Sequence, residues 1–207
     1  MPKGSPELTK AREDEIIGAC EKLYRTMSFK DVTIKEIGAV TSFTRTSIYT
    51  YFQTKEEIFL ALFEREYRDW TAELDDISAD TVSDKQELAD KLARSLEKRG
   101  LMLKLLAVNL YDMEENSRPE RLVAFKRAYG ASVDSLLAIL EKGFPEMTGQ
   151  ERQNLLLTIL QFLHGVYPYA FATEKQKKAM AEAGVSYEQH TIYELVSAGL
   201  LRMFGQQ

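Results

Sequence analysis

At least six times along these 207 residues a Ser or Thr is followed three residues on by Glu or Gln, just ahead of a run whose apolar residues recur at steps of three and four. Six that precede expected helices are Thr33/Glu36, Thr54/Glu57, Ser83/Gln86, Ser117/Glu120, Thr148/Glu151 and Ser186/Gln189. The first backbone N–H groups of a helix have no partner inside it, and this spacing lets the hydroxyl and the carboxylate or amide each satisfy one of them. One such pair is common by chance; six ahead of amphipathic runs commit the chain to helices. Alternating β-branched runs bounded by hairpin turns are absent from the sequence, so the expected fold is all-α.

The pattern predicts about ten helices, near residues 6–28, 34–40, 45–51, 55–76, 84–97, 101–113, 118–142, 149–171, 174–183 and 187–203. In the first, Pro6 suits the opening turn, and Ile16, Cys20, Leu23 and Met27 share one stripe. Gly100, Gly143 and Gly184 stand where helices should stop. The grouping suggests a three-helix unit over residues 1–54 and a larger helical body over 55–207. The helix from Lys55 would connect them through Ile58, Phe59, Leu62, Phe63, Tyr67 and Trp70.

Hydrophobic residues make up 44% of the chain, enough for a core of this size. The one cysteine, Cys20, cannot form an internal disulfide, and His164 and His190 are too few for a zinc set, so no metal or cofactor is expected. No apolar run approaches the roughly 20 residues that cross a bilayer, and the first residues lack a signal peptide's apolar stretch. A cytoplasmic protein without membrane contact is the expectation. The net charge of −5 is unevenly spread: residues 1–55 hold nine Lys/Arg against seven Asp/Glu, leaving eighteen against twenty-five in the remainder. An anionic partner therefore belongs at the N-terminal end.

That end holds "TIKEIGAVTSFTRTSIYTYFQTKEEIF", in which two short helices flank a link at Thr41–Phe43. Ile34, Ile37, Val40, Phe43 and Ile48 are placed to bury one side of the pair. The second helix is left with Arg45, Thr46, Ser47, Thr50 and Tyr49 on its other side, side chains that build no core. A helix of this kind fits the major groove of B-DNA, where Arg contacts guanine bidentately and hydroxyls or methyls meet base edges. Phosphates call for other donors, here Thr33, Lys35, Thr44, Tyr51 and Lys55 around the helix starts. An ordinary solvated surface would carry the same residue types, so composition alone does not decide.

The order of residues is more specific. Thr33, Ile37, Phe43-Thr44, Ile48, Tyr49, Tyr51-Phe52 and Thr54-Lys55-Glu56-Glu57-Ile58 resemble the DNA-binding signature of the TetR family of bacterial transcription regulators, over about residues 10–65. The resemblance implies Arg45, Thr46, Ser47 and Tyr49 at base edges, and Thr33, Thr44, Tyr51 and Lys55 at phosphates. Two departures stand out: Gly38 replaces the usual Ala, and Thr41-Ser42 replaces the Ala-Gly of the turn. Either Ser42 adopts the positive φ that glycine takes easily, or the turn has another shape.

The resemblance further implies a dimer on double-stranded DNA, a palindromic operator, most often repression, and a small-molecule effector held by the body. Met and aromatic residues are frequent there, and the candidate effector pocket comprises Trp70, Met102, Asn109, Met113, Phe125, Tyr129, His164 and Tyr167. Asn109 and His164 are polar residues embedded in apolar runs, and burying them would demand partners. Core residues at helical spacing explain most of the others equally well. The segments 149–171 and 187–203 carry more apolar positions than one buried stripe needs and are the candidate homodimer helices, with Gly165 and Gly199 allowing close approach. A DNA-bound structural or protein-recruiting module is the rival reading. An enzyme is not expected, since no glycine-rich phosphate loop, nucleophile–histidine set or HExxH occurs.

Overall fold

A computed structural model describes residues 5–107 and 110–205. Among the described residues there are eleven helices and no strand: α1 (Pro6–Tyr24), α2 (Ile34–Ala39), α3 (Arg45–Ile48), α4 (Lys55–Ala79), α5 (Lys85–Glu97), α6 (Gly100–Leu106), α7 (Leu110–Glu115), α8 (Pro119–Gly143), α9 (Gly149–Ala170), α10 (Glu174–Glu182) and α11 (Ile192–Met203). No single described helix is long and apolar enough to cross a membrane.

Three of the six capping pairs read from the sequence start helices as expected. The Thr33 and Thr54 hydroxyls accept the N–H of Glu36 and Glu57, and Thr148 and Glu151 form a complete reciprocal box. Three pairs differ. The cap of α5 is Asp84, one residue later than Ser83, with Glu87 taking the Ser83 N–H. The Ser117 hydroxyl turns back to the Met113 carbonyl instead of capping α8. Residues 186–190 are not helical, because a stronger box at Thr191/Glu194 starts α11 five residues later than expected. Gly100 opens α6 rather than stopping α5, and the single helix expected at 101–113 is two, with the first ending at Leu106. Pro168 lies inside α9, which continues to Ala170.

The chain forms two compact units, and two of the three boundaries between them fall within α4 and α8. One unit combines Met1–Glu66 with Val108–Tyr129. Its core contains Ile16, Cys20 and Tyr24 of α1, Ile37, Ile48 and Phe52, and Ile58, Phe59 and Phe63 of α4, all fully buried. Tyr24 meets Phe59 edge-on at 5.0 Å, and Phe63 packs on Phe125 of α8 at 5.1 Å. Burial pushes the Cys20 thiol up to about 12, so it behaves as a small apolar side chain. Val40, expected as a core anchor, is 46% exposed because α2 ends at Ala39 and Val40 is its C-cap.

The other unit combines Tyr67–Ala107 with Gly130–Gln207. There α11 packs on α5 and α9, and α6 packs on α9. Gly199 of α11 faces the Phe162 ring so closely that a Cβ would come within 2.6 Å of it. The close approach expected of Gly199 is thus a contact within the chain, whereas a Cβ on Gly165 would meet nothing.

Candidate nucleic-acid interface

The first unit presents α2 and α3 with their polar sides outward. In α3 only Ile48 is buried; Thr44, Arg45, Thr46, Tyr49 and Thr50 are exposed and Ser47 is half-buried. The Thr44 hydroxyl accepts the Ser47 N–H at 3.3 Å and pairs with the Ser47 hydroxyl at 3.0 Å, so these two residues start the helix. Arg45 lies over the Tyr49 ring at 5.9 Å and donates to its hydroxyl at 3.4 Å. The aromatic face holds the guanidinium while leaving donors free, a form in which Arg loses less rotamer freedom on meeting a base edge.

Five of the nine residues predicted to meet DNA share one open concavity of about 470 Å³: Thr33, Lys35, Arg45, Tyr49 and Lys55, with Gln53 and Thr54 between them. Two of the nine have strong partners in the protein. Lys55 Nζ donates to the Phe29 carbonyl at 2.8 Å and sits 4.4 Å above the Phe29 ring. The Tyr51 hydroxyl accepts from Arg12 at 2.8 Å, and Arg12 also lies over Phe43.

The turn between the helices takes the second of the two shapes open to it. No described residue other than glycine has a positive φ, so Ser42 is not in the glycine conformation. Its N–H is instead taken by the Glu15 carboxylate of α1 at 2.6 Å, and this bond holds that carboxyl below its usual range. Sequence reasoning did not find Glu15 or Arg12, because their partners lie 27 and 39 residues away and no local spacing marks them.

The residues predicted to line an effector pocket are dispersed. Met113, Phe125 and Tyr129 belong to the first unit, and Trp70, Met102, His164 and Tyr167 to the second; Asn109 lies outside the described residues. Trp70, Met102, Met113 and Phe125 are buried core. The Trp70 indole N–H is satisfied by the Ser95 hydroxyl at 3.2 Å. His164 is exposed, its Nδ1 2.9 Å from the Leu160 carbonyl one turn earlier, and Tyr167 stacks on Phe171 at 4.7 Å. Two open cavities of the second unit have other walls. One, of about 480 Å³, includes Ile77, Val82, Lys85, Leu88, Ile139 and Lys142; the other, of about 540 Å³, includes Phe171, His190 and Ile192. Among the described residues no cluster of three His, Cys, Asp or Glu could hold a metal ion.

Comparison with known proteins agrees with this geometry. Residues 16–62 match the family model described as bacterial regulatory proteins, tetR family, and residues 64–202 match a tetracyclin repressor-like C-terminal domain. Similar folds include the TetR family transcriptional regulator PfmR from Thermus thermophilus, with 13% identity, a TM-score of 0.62, and 92% of this chain and 97% of that one covered. The transcriptional repressor FadR from Thermus thermophilus, solved with lauroyl-CoA, has 18% identity, a TM-score of 0.59 and 93% of each chain covered. AmtR from Mycobacterium smegmatis has 15% identity, a TM-score of 0.57, and 100% and 89% covered. No curated protein matches in sequence.

Proposed function

Because the chain belongs to the tetR family of bacterial regulatory proteins, we propose that this transcription regulator is a cytoplasmic, non-enzymatic repressor that binds a palindromic operator as a dimer and leaves it on binding a small-molecule effector. The observation that carries the DNA-reading part is α3: a helix with one buried residue and an exposed Arg45–Tyr49 pair beside Thr33, Lys35 and Lys55. One recognition helix reads few bases, and two related by a two-fold axis read half-sites spaced by whole turns of the duplex. The apolar side chains Leu157, Tyr169 and Phe171, at least half exposed along and just past α9, support α9 together with α11 as the dimer helices.

Release follows from linkage. If effector and operator favour different separations of the two α3 helices, each weakens the other by the same factor. The lever is α4, which begins at Lys55 in the interface and runs on to Ala79. Trp70, the one tryptophan, lies in the buried core of the body, so its fluorescence serves as the probe for an effector that reshapes that core.

The test is footprinting on DNA flanking the protein's own gene at two salt concentrations. A protected palindrome that is lost when a compound quenches or enhances Trp70 emission is the expected result, with a long-chain acyl-CoA, the ligand of the Thermus FadR, in the first screening set. Diffuse protection that vanishes with salt would point to the protein-recruiting role.

A further inference from the structure

We propose that Arg118 and Arg121, at the start of α8 and outside the helix-turn-helix, are positioning residues of the DNA-reading surface that fix the exit of the recognition helix. The inference rests on the DNA-binding reading above and extends it to residues more than 60 positions further along the chain.

The two guanidinium groups converge on a single backbone atom. Arg118 and Arg121 each donate to the Tyr51 carbonyl, at 3.1 and 3.2 Å. Tyr51 closes the turn after α3, with its N–H on the Ile48 carbonyl. A helix end leaves its last carbonyls without partners, and two charged donors on one of them make a strong, directional restraint.

Arg118 is itself fixed. Its side chain grips Glu57, at 2.6 Å to one carboxylate oxygen and 2.9 Å to the other, and its N–H adds a third bond at 3.1 Å. Glu57 is fully buried and also takes the Gln53 N–H at 2.8 Å. Burial alone pushes the Glu57 carboxyl up, but the bonds from Arg118 and Gln53 outweigh it and leave it below its usual range. Arg121 lies 4.7 Å above the Phe52 ring and pairs with Glu13 of α1. The Thr54 hydroxyl donates to the Asn116 carbonyl at 2.9 Å, so residues 51 and 54 are tied directly to the segment 116–121, and residue 53 is tied to it through Glu57.

These ties hold the stretch between Tyr49 and Lys55, two of the proposed DNA contacts. Because α8 continues to Gly143, a shift of that helix along its own axis would also be delivered at Tyr51. In this account α8 is a second lever beside α4.

Arg118→Ala would leave Glu57 buried and unpaired and would confound the test by unfolding the protein. Arg121→Gln avoids this, since Glu13 is partly exposed, and the paired change Glu57→Gln with Arg118→Gln removes both charges while keeping the volume at Glu57 and leaving polar amides at both positions. The wild-type chain and these variants, together with Arg121→Lys, are compared in amide hydrogen exchange of the free protein and in titrations against operator and random DNA over a salt series. The expected result is faster exchange at Phe52 and Gln53 and a loss on the order of tenfold in the operator-to-random ratio, at unchanged salt slope, with Arg121→Lys recovering most of it. Local exchange and discrimination equal to wild type would overturn the proposal. So would a salt slope lowered by about one per half-site, which would make Arg121 a phosphate contact. Exchange decides the restraint even if the wild-type protein shows no preference among DNA sequences, the outcome that would sink the DNA reading.

Discussion

In α3, four residues long, one side chain is buried, whereas α9 spans 22 residues and buries Leu155, Leu156, Ile159, Leu163, Val166 and Ala170. Burial of Ile48 supplies roughly 1.5–3 kcal/mol, too little to hold a helix of one turn in a defined direction. Its direction comes from polar ties around it: Glu15 on the Ser42 N–H, Arg12 on the Tyr51 hydroxyl, and Arg118 and Arg121 on the Tyr51 carbonyl. The longer helix depends less on such ties, although Arg152 donates to the Phe144 carbonyl, because apolar side chains of α9 are buried along much of its length. A surface meant to read DNA must leave its own side chains free, so its orientation has to be supplied by residues from elsewhere in the chain.

The largest expected effects test this contrast directly. Trp70→Ala in the body should cost about 3–5 kcal/mol in denaturant unfolding, while the protein that remains folded keeps its discrimination between operator and random DNA. Ile48→Ala should cost about 2–5 kcal/mol and lose the discrimination as well. Trp70→Ala that folded normally yet read DNA at random would erase the distinction between the two regions.

A smaller effect sharpens the role of Lys55. Its Nζ is held by Phe29, which aims it beside Arg45 and Tyr49 in the same concavity. Lys55→Ala should weaken operator and random DNA alike and lower the salt slope by about one per half-site. An unchanged slope would make Lys55 a support for the Phe29 backbone alone.

The smallest effect concerns a cap in the body. The N–H and hydroxyl of Ser83, with Lys91, hold the Glu87 carboxyl down at about 2 against an ordinary 4.5. A carboxyl depressed in the folded state adds stability that is present above its ordinary value and lost as pH falls through the depressed one. Acid unfolding of Glu87→Gln should therefore show a shallower loss between about pH 4.5 and 2 than wild type. Parallel curves would show that the cap carries no net weight.

Local chemistry was legible in the sequence, and contacts across the chain were not. Thr33, Thr54 and Thr148 cap as their spacing indicates, since donor and acceptor lie three residues apart. At Ser83 the neighbouring Asp84 likewise has a capping partner, Glu87, three positions on, and spacing cannot rank the two; the backbone settles on Asp84. Ser186 and Gln189 have the right spacing, but the Thr191/Glu194 box precedes the stronger apolar run. The exposed face of α3 followed from its polar residues and from the tetR resemblance. The ties that orient it did not, because Arg118 meets Glu57 across 61 residues and Arg121 meets Glu13 across 108. Apolar patterning in the body marked Trp70, Met102, Met113 and Phe125 as buried without separating core from pocket.

The most direct test of the central claim is a titration of Arg45→Ala against the operator, operators altered at single base pairs, and random DNA at one salt concentration. The account predicts a loss of about 1–3 kcal/mol per half-site on the operator, confined to one base pair, with random DNA bound as before. Equal weakening on every sequence would place Arg45 on phosphate and contradict the claim that the outer face of α3 reads bases.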